Sequence, residues 1–80
     1  MSERAIEDAI AKLLREERAR HRISLDSVAA HCCVSVPAAY HWEQGETKPS
    51  TLWHLRRWVE ACDATLVFKI ITKDGEEMKF

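Results

Sequence analysis

SLDSVAAHCCVSVPAAYHWEQGETKPS, running from Ser24 to Ser50, reads as two short helices joined by a tight turn and closed by a glycine stop. Ser24 is placed to accept a backbone N–H bond from the turn beginning Leu25-Asp26-Ser27. Ser35 does the same for Val36-Pro37-Ala38, where a first-turn proline removes only a donor that has no partner anyway. Each serine therefore opens a helix. Val28 and Ala29 in the first, and Ala39 and Trp42 in the second, fall at helical spacings that let their apolar faces meet. Gly45 supplies the left-handed conformation that a helix C-terminus often needs. Pro49 forbids further helix, and Ser50 offers a new N-cap for Thr51 onward.

Outward from this stretch, the pattern is helical on both sides. A helix from near Glu3 to about His21 carries Ala5, Ile6, Ala9, Ile10, Leu13 and Leu14 as an apolar stripe. Another, Thr51 to about Cys62, sets Leu52, Leu55, Val59 and Cys62 on one side with Trp53 and Trp58 near its borders. Both stripes need covering by the central pair. Trp42, spaced from Ala39 by three residues, reads as core with a polar edge, and Glu43 as a residue that holds the helix end through arginine or backbone bonds.

The period then changes. Thr65-Leu66-Val67-Phe68-Lys69-Ile70-Ile71-Thr72 is extended and rich in β-branched and aromatic residues, and Asp74-Gly75 predicts a type I′ hairpin turn with Glu76 to Phe80 returning. Alternation puts Leu66, Phe68 and Ile70 on one face and Val67 and Ile71 on the other. A lone hairpin is marginally stable in water. With one face on the helices, the second face and an edge remain for another chain, and Val67, Phe68, Ile70 and Ile71 become the expected homodimer contacts. Residues 1–64 are thus a helical unit and 65–80 a dimerisation element of the same domain.

At 80 residues and 46% apolar, such a chain buries only about 60–65% of its unfolded surface, which favours association. No stretch approaches the ~20 apolar residues of a membrane span, and MSERAIEDAIAKLL carries acids where a secretory signal has a basic region. The expectation is a soluble, cytoplasmic protein with no membrane partner. The formal net charge of −1 conceals a partition: Lys12 to Trp58 holds eight Lys/Arg against five Asp/Glu, while the flanks hold four against eight.

The run Trp42-Glu43-Gln44-Gly45-Glu46-Thr47-Lys48-Pro49-Ser50 resembles the Trp-Glu-x-Gly-x-x-x-Pro-Ser ending of the XRE/Cro/C1-type helix-turn-helix family of bacterial and phage regulators. The resemblance covers roughly Ile10 to Cys62. Leu13-Leu14-Arg15-Glu16-Glu17-Arg18 is similar to the end of the family's first helix, Val28-Ala29 to the small pair of its second, and Val34-Ser35 to the lead into its recognition helix. It implies a mostly α, four-to-five-helix lambda-repressor-like domain, here with a C-terminal β-hairpin. It also implies a sequence-specific regulator of transcription that binds double-stranded DNA as a homodimer, on a pseudo-palindromic operator, and represses its own promoter. Repression is the default because no surface reads as a polymerase contact. In antitoxins of the same family, the protein also binds a toxin. A protein-interaction module that keeps the fold with weak DNA binding is the competing expectation.

On that resemblance, base readout falls to the outward residues Val36, Pro37, Ala38, Tyr40, His41 and Gln44. Phosphate contact falls to Arg15, Arg22, Ser24, Ser35 and Lys48. The wider basic set includes Arg18, Arg20, Arg56 and Arg57. Three departures bear on this. Leu25 stands where a Gln commonly anchors to phosphate, Val36 where a Gln or Arg often reads a base, and Cys33 where the inter-helix turn usually has Gly. Readout by a bidentate amide at the helix start is therefore excluded, and weakly specific or shape-dependent binding is expected. His41 can gain a phosphate partner when protonated.

Other chemistries find little footing. His31-Cys32-Cys33 has adjacent ligands rather than a C-x₂-C spacing, Cys62 lies on another helix, and an odd count of three in a chain expected to be cytoplasmic argues against a disulfide framework. No metal and no cofactor are expected, and Cys32 and Cys62 read as small core residues. Cys33, at an exposed turn, is the one thiol open to oxidation. With no Gly-rich phosphate loop and little volume for a substrate pocket, an enzyme is not expected.

Overall fold

The computed structural model describes residues 2–79. Four helices, α1 (Glu3–Arg20), α2 (Leu25–Cys32), α3 (Val36–Glu43) and α4 (Leu52–Ala61), precede a two-stranded antiparallel hairpin of β1 (Lys69–Ile71) and β2 (Glu77–Lys79). The protein is mostly α-helical. Among the described residues there is no fifth helix, and no helix is long and apolar enough to cross a membrane.

Every helix starts on a hydroxyl. Ser2, Ser24, Ser35 and Thr51 accept bonds from the backbone N–H groups of Ala5, Ser27, Ala38 and His54, at 3.2, 3.1, 3.2 and 3.0 Å. The cap of α4 is therefore Thr51, not Ser50. The helix begins one residue later than the sequence predicts, because Thr51 takes the extended φ/ψ of a cap (−130°, 156°).

Every helix also ends in the same way. Arg22, Cys33, Gly45 and Asp63 lie in the left-handed region at φ 55°, 56°, 75° and 63°. In each case the next N–H reaches back five residues: Ile23 to Arg18, Val34 to Ala29, Glu46 to His41 and Ala64 to Val59, at 3.0 to 3.1 Å. These are Schellman closures, which satisfy carbonyls that a helix end leaves without partners. Only one of the four uses glycine.

The core comprises Ala11 and Leu14 of α1, Val28, Ala29 and Cys32 of α2, Ala39 and Trp42 of α3, Trp58 and Val59 of α4, and Cys62. α2 packs on α3 and α4, and α1 packs on α3. Ala29 and Ala39 keep α2 and α3 close, while the tilted rings of Trp42 and Trp58, with centroids 5.5 Å apart, fill the wider space beneath α4. Complete burial of Val28 contributes about 1.5–3 kcal/mol. Burial lifts the Cys32 thiol to about 11 and the Cys62 thiol to about 12, so both are neutral core groups.

Two apolar stripes differ from expectation. On α1, Ile6 and Leu13 are exposed at 46% and 56%, and the buried line runs through Ala11 and Leu14 toward Arg18. On α4, Leu52 is exposed and Trp58 is core rather than border. The buried line of α1 is thus turned away from Ile6 and Leu13, whereas α4 keeps Leu55, Val59 and Cys62 toward the core as expected.

The hairpin also differs. β1 is shorter than the sequence predicts and β2 begins at Glu77 rather than Glu76, while Phe80, the expected end of the return strand, lies outside the described residues. Every residue of both strands is exposed, so neither sheet face rests on the helices. Packing against the core ends at Leu66, with Phe68 half-buried. The molecule measures 44 × 23 × 22 Å, and its radius of gyration of 13.7 Å exceeds the about 12 Å of a compact chain this long. The turn is not type I′, which requires positive φ at both central residues. Gly75 has φ 85° but Asp74 does not share it, and Gly75 N–H bonds to Thr72 O at 3.0 Å. Lys73-Asp74-Gly75 is thus a three-residue loop, a turn followed by a left-handed glycine.

Candidate nucleic-acid interface

α3 divides cleanly along its length. Ala39, Trp42 and Glu43 are buried, whereas Val36, Pro37, Tyr40, His41 and Gln44 are exposed. Val36, Tyr40 and Gln44 recur every four residues and form one strip, with Pro37 and His41 beside it. Ala38 is the exception among the six expected readout residues. It is half-buried, and its N–H is taken by Ser35 Oγ. Tyr40 and His41 meet edge to face at 5.6 Å, and His41 Nδ1 lies 2.5 Å from Glu46 Oε2.

The strip is held rigidly from behind. Glu43, only 2% exposed, accepts from Arg18 Nε at 2.5 Å and Nη2 at 3.0 Å, and Arg18 Nη1 also donates to Ile23 O at 2.9 Å. The guanidinium thus ties the end of α3 to α1 and to the turn before α2. Such fork-to-fork geometry fixes orientation as well as distance. Arg18 is spent on structure rather than turned to solvent. Arg57 is likewise turned inward, with Nε donating to His31 O at 3.1 Å and its guanidinium 5.2 Å from the Trp53 ring.

The expected phosphate contacts differ in how far they are already engaged within the chain. Ser24 and Ser35 use their oxygens as cap acceptors, but a hydroxyl keeps its own hydrogen to donate outward. Arg22 is exposed at the left-handed position that closes α1. Arg15 is half-buried and donates from Nη1 to Glu43 O at 3.2 Å. Lys48 is exposed, yet its ammonium sits 2.9 Å from Glu7 and 3.9 Å from Glu3 on α1. The hydrogen bond that Lys48 donates to Glu7 raises the Lys48 pKa, with the charges of Glu7 and Glu3 adding to it.

Two features of this surface escape a reading of the central stretch alone. A small cleft of about 240 Å³ beside Gln44 is lined by Arg4, Lys12 and Arg15 together with the acidic Asp8 and Glu43. The signal was present as spacing: residues 4, 8, 12 and 15 share one face of α1. A larger cleft of about 610 Å³ lies between the start of α1 and the loop from Gly45 to Thr51, floored by Ile10, Ala11, Trp42, Leu55 and Trp58. A Cβ at Gly45 would stand 3.3 Å from Oδ1 of the exposed Asp8, which a small shift of that side chain relieves, so it is the φ of 75° rather than space that favours glycine here.

The hairpin residues expected to contact a second chain are open. Val67, Ile70 and Ile71 are 66%, 52% and 62% exposed, joined by Met78, while Phe68 is half-covered. The pairing aligns Ile70 with Met78 and Ile71 with Glu77. The face that carries Ile71 therefore also carries Lys69, Glu77 and Lys79, and is charged rather than a second apolar face. Compared with known proteins, the chain matches no family model and no curated sequence.

Proposed function

We propose that the protein is a DNA-binding transcriptional regulator of helix-turn-helix type, acting as a homodimer through its C-terminal strands and repressing its own promoter. The observation that carries this reading is the exposed strip Val36, Tyr40 and Gln44 on a helix locked at both ends by the Ser35 cap and the Glu43–Arg18 pair. A second helix of a tightly joined pair, presented in this way, suits insertion into a major groove. Val36 and Pro37 offer apolar contact to a thymine methyl, and Tyr40, His41 and Gln44 offer hydrogen bonds to base edges or phosphate. Arg22 near the helix pair, and the basic notch of Arg4, Lys12 and Arg15 beside Gln44, supply sequence-independent attraction to the backbone. No metal or cofactor enters this reading, and DNA-binding in the cytoplasm is its setting.

One observation favours a second reading, an antitoxin or protein-interaction module with weak DNA binding. Lys48 is engaged by Glu7 and Glu3, so it meets phosphate only by leaving them. Binding to the DNA upstream of the protein's own gene, followed by anisotropy across a salt series with a scrambled duplex as control, separates the two. Tight, salt-sensitive binding that prefers the native site supports the repressor, with the slope bounding the number of phosphate contacts. Weak binding, equal on both duplexes, supports the protein-interaction module.

A further inference from the structure

The hairpin leaves two free strand edges, and they are not equivalent. Thr72 N–H bonds to Glu76 O at 2.8 Å, so Thr72 and Glu76 are a hydrogen-bonded pair across the ladder. Antiparallel pairs alternate, which makes Ile70 with Met78 the next hydrogen-bonded pair. The backbone groups of Lys69 and Ile71 on β1, and of Glu77 and Lys79 on β2, therefore point away from the ladder. Each edge is a short template for another strand.

Only pairing of like edges closes under two-fold symmetry, since β1 against a partner's β2 leaves free edges for open-ended growth. Charge then discriminates between the two closed arrangements. With β2 antiparallel to its own copy and centred on Met78, Glu77 of each chain stands opposite Lys79 of the other, and Met78 opposite Met78. Those Glu–Lys positions are the ones whose backbone groups face outward, so each makes a reciprocal hydrogen-bonded pair as well as an ion pair. The equivalent β1 arrangement, centred on Ile70, sets each Lys69 against an Ile71 and gains no ion pair. The Glu-Met-Lys order of β2 is self-complementary only in the antiparallel sense, because a parallel register at zero offset stacks like on like.

We propose that β2 is the dimerisation edge, pairing with β2 of a second copy about a two-fold axis at Met78 to form a four-stranded sheet in the order β1, β2, β2, β1. Ile70 and Met78 of both chains then line up on one face, which places four half-exposed apolar side chains side by side. Lys69, Glu77 and Lys79 of both chains share the other face. Within each chain Lys69 stands directly opposite Lys79 and is held by Glu77, with Nζ 2.9 Å from Oε1. The partner's Glu77, brought beside Lys79, offsets that repulsion. This specifies the homodimer contact of the function proposed above but does not depend on DNA binding.

Lys79→Glu is the informative change. It puts a carboxylate opposite Lys69 inside the hairpin, so the hairpin keeps its pairing. In the dimer, however, the same carboxylate stands against the partner's Glu77, and the two-fold axis repeats that repulsion. The double variant Glu77→Lys/Lys79→Glu restores opposite charges across the axis and retains a carboxylate opposite Lys69. Sedimentation of the full-length chains without DNA, at low salt and over a concentration series, reads the outcome. The wild-type chain dimerises, Lys79→Glu weakens the dimer about tenfold, and the double variant recovers most of that loss. A wild-type chain monomeric at about 1 mM, a Lys79→Glu dimer as tight as wild type, or a double variant no tighter than Lys79→Glu overturns the proposal. Since no DNA is present, none of these results depends on whether the chain binds an operator.

Discussion

Arg18 and Glu43 meet fork to fork across 25 positions of sequence, at 2.5 and 3.0 Å, with the glutamate side chain only 2% exposed. The pair joins α1 to the end of α3, which is the helix that carries the exposed strip. Removal of the arginine leaves a carboxylate buried without its partner. Arg18→Ala should therefore cost about 3 kcal/mol, somewhat below a deeply buried pair's cost because Arg18 itself is 23% exposed. Urea denaturation with an unchanged slope reads this directly, and a loss below about 1 kcal/mol would mean that the pair behaves as an ordinary surface bridge.

The same pair explains why α1 was only partly legible in the sequence. Of its expected stripe Ile10 and Leu14 do pack on the core, but Ile6 and Leu13 do not, because reaching Glu43 requires the line of Ala11, Leu14 and Arg18 to face α3. A hydrophobicity pattern does not weigh a buried ion pair, so the edge of the stripe at Ile6 and Leu13 is misplaced. The two serine caps around α2 and α3 were legible because they depend on neighbours three residues away. The exposed face of α3 was also legible, apart from Ala38, because burial of Ala39 and Trp42 fixes the opposite side. Glu43 as a tie for the helix end could be anticipated, although not its distant partner. The β-turn departs from the expected type I′ because Asp-Gly serves both a two-residue loop and the end of a three-residue loop. Register decides between them, and the sequence does not print register.

Three of the four helix closures place a side chain where glycine is easier. A Cβ in the left-handed region costs about 1 kcal/mol, and β-branching makes it worse. Cys33→Gly should stabilise the fold by up to about 0.5 kcal/mol after the added freedom of the unfolded chain is deducted, and Cys33→Val should destabilise it. Asp63→Gly should gain less, because an aspartate tolerates this conformation better than a cysteine does. Thermal unfolding of the three variants tests the ranking, and Cys33→Val as stable as Cys33→Gly would contradict it.

The thiols should react in two classes. Cys32 and Cys62 are buried and held neutral, with their pKa values raised to about 11 and about 12 by burial, whereas Cys33 is exposed at the turn. The thiolate is the reactive form, so at pH 8 a disulfide reagent should titrate one thiol rapidly in the native protein and all three in denaturant. These raised values also fix the sign of a pH effect. Stability contributed by the neutral thiols is present below the ordinary cysteine range and lost as pH rises from there through the folded values, because the unfolded chain loses those protons first. Unfolding followed between pH 7 and 10 should show the Cys62→Ala variant losing less stability over that interval than the wild type.

Lys48 is where the two functional readings make opposite forecasts. In the free protein its ammonium is held by Glu7 at 2.9 Å, with Glu3 at 3.9 Å, and both partners lie on α1 beside the loop that follows α3. Phosphate must compete with these carboxylates for the same cation. If Lys48 touches the DNA backbone, Glu7→Gln should strengthen binding by releasing it, and Lys48→Ala should weaken binding by a similar factor on every sequence. The second change should also reduce the salt slope by about one, as expected when one phosphate is no longer neutralised. A module that docks on protein instead would leave DNA affinity indifferent to both changes, while Lys48→Ala and Glu7→Gln would each loosen the loop against α1. Anisotropy on native and scrambled duplexes, measured for both variants over the same salt series, distinguishes them. Equal affinity and equal slope in wild type, Glu7→Gln and Lys48→Ala remove Lys48 from the interface, and the attraction to phosphate then rests on Arg22 and the notch formed by Arg4, Lys12 and Arg15.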